Sequence, residues 1–213
     1  MEEFKPIDFY DEKNNLYFHK ANPEKGGKDE KLFSLINSWN SENIKRFLLQ
    51  YSSNPLGTNF REYARLGDYV YVIENEMMEV IGATVLTTET PITGSLEIRQ
   101  HISKYKDSLI LPPEFLPISD AQKLADKTAR GLYIRGIAVA PDRTGNGLGT
   151  KILTSISENV FTLNESDNAL CTMGIVEEQN IASKFAFENA NFKTLPTAFE
   201  GYNKFYSMTD KEV

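Results

Sequence analysis

Apolar positions fall into short runs whose period changes along the chain, and the changes mark out its elements. Leu16 to His19 is a brief apolar and aromatic segment that predicts a strand, and residues 22–27, rich in Pro, Gly and Asn, predict a turn after it. Leu32, Leu35, Ile36 and Trp39 then recur at i, i+3, i+4 and i+7. After Ser41, a candidate N-cap, Ile44, Phe47, Leu48 and Tyr51 repeat that spacing, so two amphipathic helices in tandem are expected. Residues 68–74 and 80–87 are β-branched and aromatic with a hairpin-length gap, which predicts an antiparallel pair. Residues 90–130 lack strong periodicity and are broken by prolines, so they read as an insertion. Within it a short helix is capped by Ser119 or Asp120, His101 is an exposed loop residue, and the whole is a surface excursion or a loop that shapes a pocket. Residues 132–140 read as a strand with a glycine, Gly136, at a bulge or close approach. A glycine turn follows, then a helix marked by Leu148, Ile152, Leu153, Ile156 and Val160. Residues 169–176 are almost continuously apolar, as in a strand covered on both faces. Ile181 to Ala190 has helical composition, and residues 199–206 are expected to close the sheet antiparallel.

The composition narrows the class. At 213 residues, with 40% hydrophobic and 25% charged, the chain fits one soluble domain spanning 1–213 that holds a single core. No stretch reaches the ~20 apolar residues of a membrane helix, and the acidic opening lacks the basic start of a signal peptide, so a cytoplasmic location is expected. Cys171 is the only cysteine and reads as a small core residue. His19 and His101 have no ligand cluster around them, so no metal is expected. A net charge of −7 disfavours nucleic acid and mildly favours a cationic small partner.

The candidate chemistry lies in Gly145, Gly147 and Gly149, between a strand and a helix. There the first N–H groups of the helix and its dipole attract a phosphate, and glycine lets the backbone approach it. A dinucleotide fingerprint fails because position 150 is Thr, and a P-loop fails because Thr150 separates Gly149 from Lys151.

With Val139 and Pro141 before it, the segment carrying Gly147 and Gly149 resembles the acetyl-CoA motif of the GNAT family, Arg/Gln-x-x-Gly-x-Gly/Ala. A second family pattern, Asn-x-x-Ala-x-x-x-Tyr-x-x-x-Gly-Phe, falls on Asn180 to Phe192. The resemblance is specific over 132–192. It implies an α/β (α+β) fold with a mostly antiparallel mixed sheet, splayed between the strands at 132 and 169 and flanked by helices. It also implies acetyl-CoA as co-substrate, transfer of the acetyl group to a primary amine of a small molecule or peptide in a ternary complex, and a family in which homodimers are common. By the same resemblance Ile137, Ala138 and Val139 face the pantetheine arm, and Arg143, Thr144, Gly145, Asn146, Gly147, Leu148, Gly149 and Thr150 hold the diphosphate. Asn180, Ser183 and Phe187 belong to the second motif. Tyr133 falls where some members carry a glutamate base, with Glu97, Glu177 and Glu178 as other bases, although an ordinary tyrosine (pKa ~10) is a poor base and packing is its simpler role. Three residues depart from the pattern. Thr144 replaces an Arg or Gln donor, Phe187 replaces a Tyr that protonates the departing thiolate, and Asn191 replaces a Gly at a left-handed cap, which Asn tolerates. The first two leave open a domain that binds acyl-CoA without catalysing transfer.

Overall fold

The computed structural model describes residues 8–21, 69–89, 95–108, 110–125, 130–159, 170–195 and 201–209. The helix pair expected over 32–51 lies outside them. The described residues divide into two compact units.

The first is an antiparallel meander formed by the described residues of Lys5–Thr87 and Arg135–Gly149. Strand β1 (Phe9–Asp11) pairs with β2 (Leu16–Lys20), β2 with β3 (Tyr69–Glu74), and β3 with β4 (Val80–Glu89). The hairpin expected over 68–87 is present, with a register shift at Ile73/Glu74. Strand β1 was not anticipated. It is tied to β2 through Asn15 in the left-handed conformation (φ 53°), with Phe9 stacked on Phe18 at 4.4 Å and Tyr10 on Tyr17 at 4.2 Å. The second half of β5 (Arg130–Val139) runs beside β4, where Thr84 Oγ1 donates to Gly136 O at 2.9 Å and Ala140 N–H to Ile81 O at 3.0 Å.

The other unit holds the described residues of Thr88–Ile134 and Thr150–Val213. Its strands run in the order β5, β6 (Leu170–Glu177), β8 (Tyr202–Thr209), β7 (Lys193–Thr194). The pairing of β5 with β6 is parallel and runs from Arg130↔Leu170 to Ile134↔Gly174, and the pairings of β6 with β8 and of β7 with β8 are antiparallel. Strand β6 is thus central, as its continuous apolar run predicts. Helix α3 (Leu148–Glu158) buries Ile152, Leu153 and Ile156, the stripe expected from the sequence, and α4 is Ile181–Asn189.

The insertion is not a surface excursion. It forms two helices, α1 (Ser95–Tyr105) and α2 (Ile118–Leu124), and Ile98, Leu116, Ala121 and Leu124 join Cys171, Met173, Leu195 and Tyr206 in one buried cluster. Burying those apolar groups off the sheet supplies most of what holds the helices there. His101 is fully buried on α1, not exposed: its Nε2 donates to Leu116 O at 2.8 Å, which places a proton on that nitrogen. Nor do Ser119 or Asp120 cap α2. Pro117 occupies the N-cap with no side-chain cap bond, its fixed φ (−56°) leading the chain into the helix.

Candidate functional site

The glycine turn begins where β5 ends. Pro141–Arg143 make one turn of 3₁₀ helix, with Arg143 N–H donating to Ala140 O at 2.9 Å. Thr144 then extends the chain (ψ 148°), and its hydroxyl donates to Pro141 O at 2.8 Å. Gly145 (φ 81°) and Gly147 (φ 73°) are left-handed, a conformation that glycine takes at no steric cost. Among the described residues a Cβ at either would meet nothing within 4 Å, so it is the backbone conformation, not crowding by them, that calls for glycine. Helix α3 starts at Leu148 with no acidic residue in its first turn. Its leading N–H groups have no intrahelical acceptor, and its positive end favours an anion. Residues 144–147 are exposed and Leu148, Gly149 and Thr150 half-buried; Arg143 N–H and Thr144 N–H donate to Ala140 O and Pro141 O, so the accessible run of backbone donors starts at Gly145.

Side chains add less here than the sequence suggested. The Thr144 hydroxyl proton is used within the turn. Arg143 is engaged with two carboxylates, Glu79 (Nη2 to Oε2, 3.2 Å) and Asp142 (Nε to Oδ2, 3.3 Å). Before the turn, Ala138 is buried and Ile137 and Val139 are half-buried on the second half of β5.

The second motif lies in the other unit and is built by packing. Asn180 is the N-cap of α4, its Oδ1 accepting Ser183 N–H at 3.2 Å. Asn191 takes the left-handed conformation (φ 62°) just past the helix end, and Phe192 N–H donates to Phe187 O at 3.1 Å. Phe187 is buried, stacked on Phe205 (4.9 Å between centroids, 27° between planes) and edge-on to Phe192. Its para carbon lies 2.5 Å from the place a Cβ on Gly174 would occupy, so the absence of a side chain at Gly174 is what admits the ring. Gly174 is also the last β6 residue in register with β5.

Tyr133, opposite Met173, is half-buried against the cluster that contains Ile98 and Tyr206. Of the other carboxylates considered as bases, Glu97 is buried and ion-paired with Lys204 of β8, also buried. Glu177 ends β6, half-buried, and Glu178 is exposed in the turn after it. Glu79 and Lys204, partners of two candidate residues, were not anticipated: they stand 64 and 107 positions from Arg143 and Glu97, beyond the reach of any local pattern.

No protein-family model matches the sequence, and no curated protein is similar to it in sequence. Solved structures are similar in three dimensions. AtaT complexed with acetyl-methionyl-tRNAfMet matches with a TM-score of 0.54 and 12% identity, over 91% of this chain and 95% of that one. The GNAT domain of S. lividans PAT matches at 0.52 and 12%, over 91% and 90%. Spermidine N-acetyltransferase from Vibrio cholerae, in complex with CoA and spermine, matches at 0.52 and 13%, over 91% and 95%. At such identities the likeness is one of fold.

Proposed function

We propose that this chain, which has the fold of the GNAT acetyltransferases, is an acyl-CoA-dependent N-acyltransferase that moves an acetyl group from acetyl-CoA to a primary amine. The observation that carries the reading is the glycine turn, with two left-handed glycines leading into a helix whose first turn holds no acid. Backbone N–H groups from Gly145 to Thr150 take the diphosphate, as fixed donors that lose little entropy on binding. Backbone groups over Ile137 to Val139 receive the pantetheine arm.

Transfer is direct. The neutral amine attacks the thioester carbonyl carbon, a C–N bond forms, the C–S bond breaks, and the thiolate leaves with CoA. The nitrogen sheds two protons to a base or solvent, one from the acceptor ammonium before attack and one as the amide forms, and in a second transfer the thiolate regains one. Phe187 has no proton to give, so the second transfer falls to solvent or another group, which a thiolate tolerates because its conjugate thiol is already fairly acidic (pKa ~8.5).

The acceptor is a cationic small molecule or a peptide amine. The net charge of −7 favours such partners over nucleic acid, yet the similarity to AtaT, complexed with acetyl-methionyl-tRNAfMet, adds aminoacyl-tRNA to any acceptor panel. A second reading, an acyl-CoA-binding domain without turnover, is favoured by the occupied Thr144 hydroxyl, the occupied Arg143 guanidinium and the inert Phe187 ring. Calorimetric titration with acetyl-CoA, with dephospho-CoA and ATP as controls, tests the shared premise. Failure to bind any of the three would sink both readings. Binding of acetyl-CoA followed by saturable CoA release with a polyamine, peptide or aminoacyl-tRNA acceptor would exclude the silent domain.

A further inference from the structure

Arg143 stands just before the glycine turn, and its guanidinium is engaged by a network of carboxylates within the meander unit. Glu79, at the end of the β3–β4 hairpin turn, receives two donors on one oxygen: Arg143 Nη2 at 3.2 Å and Asn75 Nδ2 at 2.8 Å. Asn75 in turn braces the hairpin tip, its Oδ1 accepting the N–H groups of Met77 at 3.0 Å and Glu79 at 2.9 Å, with Met78 left-handed (φ 59°) between them. Asp142 takes Arg143 Nε from the other side.

Two carboxylates about one guanidinium leave the approach to the turn with a local charge of −1, by 1 − 2. A phosphate arriving there meets that charge unless Arg143 changes partner. The side chains of Arg143 and Glu79 are 43% and 51% exposed, so the pair adds little to stability, of the order of an exposed surface bridge (~0–1 kcal/mol). Guanidinium, by contrast, matches phosphate geometry well, with two parallel donors. The pair is weak enough to exchange, and sits where exchange would matter.

We propose that Glu79 competes with a phosphate of the incoming cofactor for Arg143, so that binding trades a carboxylate for a phosphate. The inference rests on the phosphate-cradle reading above and adds to it a residue that lowers affinity.

The test is calorimetric titration with CoA of the wild-type chain, Glu79→Gln, Arg143→Gln and the double variant, each checked by thermal melting for an intact fold. Glu79→Gln is expected to bind about two- to fivefold tighter, the fold-change matching an exposed ion pair. Arg143→Gln is expected to bind about fivefold or more weaker, and adding Glu79→Gln to it should recover nothing from the lost competition. Unchanged or weaker binding by Glu79→Gln would overturn the competition and make the pair a strut for the turn. A wild-type chain that binds no CoA would overturn the cradle itself, a separate failure that the wild-type titration reads by itself.

Discussion

Residues 141–150 and 180–192 carry the two motifs, and they are built on opposite terms. The first is exposed backbone: its shape comes from two left-handed glycines and a 3₁₀ turn, and among the described residues a Cβ on either glycine would touch nothing. The second is side-chain packing: Phe187 lies between Phe205 and Phe192 and fills the place where Gly174 lacks a Cβ. A motif made of backbone can lose its ligand without losing its fold. A motif made of packing loses stability first. Phe187→Ala is the strongest test of that contrast, expected to destabilise by about 3–5 kcal/mol, the range for emptying a buried aromatic site. Urea unfolding measures it. A loss under ~1 kcal/mol would mean that the ring is not a core element and would restore it as a site residue of the open kind.

Phe187→Tyr sharpens the same point with a smaller expected effect. The para carbon already abuts Gly174, so a hydroxyl there extends into β6 and must displace strand or ring, at about 1–3 kcal/mol by the usual cost of overpacking. Turnover should not rise. If it does rise, with stability unchanged, the ring has room at its tip and the missing proton donor was limiting.

How much of this could be read from residues alone follows the same division. Strands β3, β4, β5 and β6 and helices α3 and α4 were legible because their burial is periodic in sequence, and the glycine turn because its demand for φ > 0 is local. The helices of the insertion were not, because the buried face of α1 runs through Glu97, Ile98 and His101, two of them polar. Those polar groups become acceptable inside only through Lys204 of β8 and the carbonyl of Leu116, partners that no window of sequence contains. The same holds for Arg143, a diphosphate donor by resemblance, whose carboxylate partner Glu79 comes from another hairpin. Conformational demands show in the sequence, and long-range pairings do not.

Gly147→Val approaches the contrast from the other side. A left-handed conformation costs about 1–2 kcal/mol, and more for a β-branched residue such as valine, yet a Cβ meets no neighbour here among the described residues, so the fold should survive with a modest drop in melting temperature. Acetyl-CoA binding by calorimetry should fall below detection, since the isopropyl group would stand over the turn. Intact affinity would show that the ligand, if any, does not approach this backbone, and the diphosphate assignment of Gly145 to Thr150 would fall with it.

The smallest expected effect is at the cap of α4, where the two kinds of motif meet in one residue. Asn180 matches the second family pattern, but in the structure its Oδ1 is spent on Ser183 N–H, a purely structural bond at a helix start. Asn180→Ala should therefore cost about 1 kcal/mol, as cap removals do, and Asn180→Asp should keep most of that stability because a carboxylate caps equally well. The two variants separate the roles. A cap alone predicts that Asn180→Asp binds acetyl-CoA as the wild type does, whereas an amide that donates to the cofactor predicts that both variants lose affinity to a similar degree, the aspartate through repulsion as well. Equal loss in both would move Asn180 from the packed region to the ligand, and with it part of the helix start that the packing contrast assigns to structure.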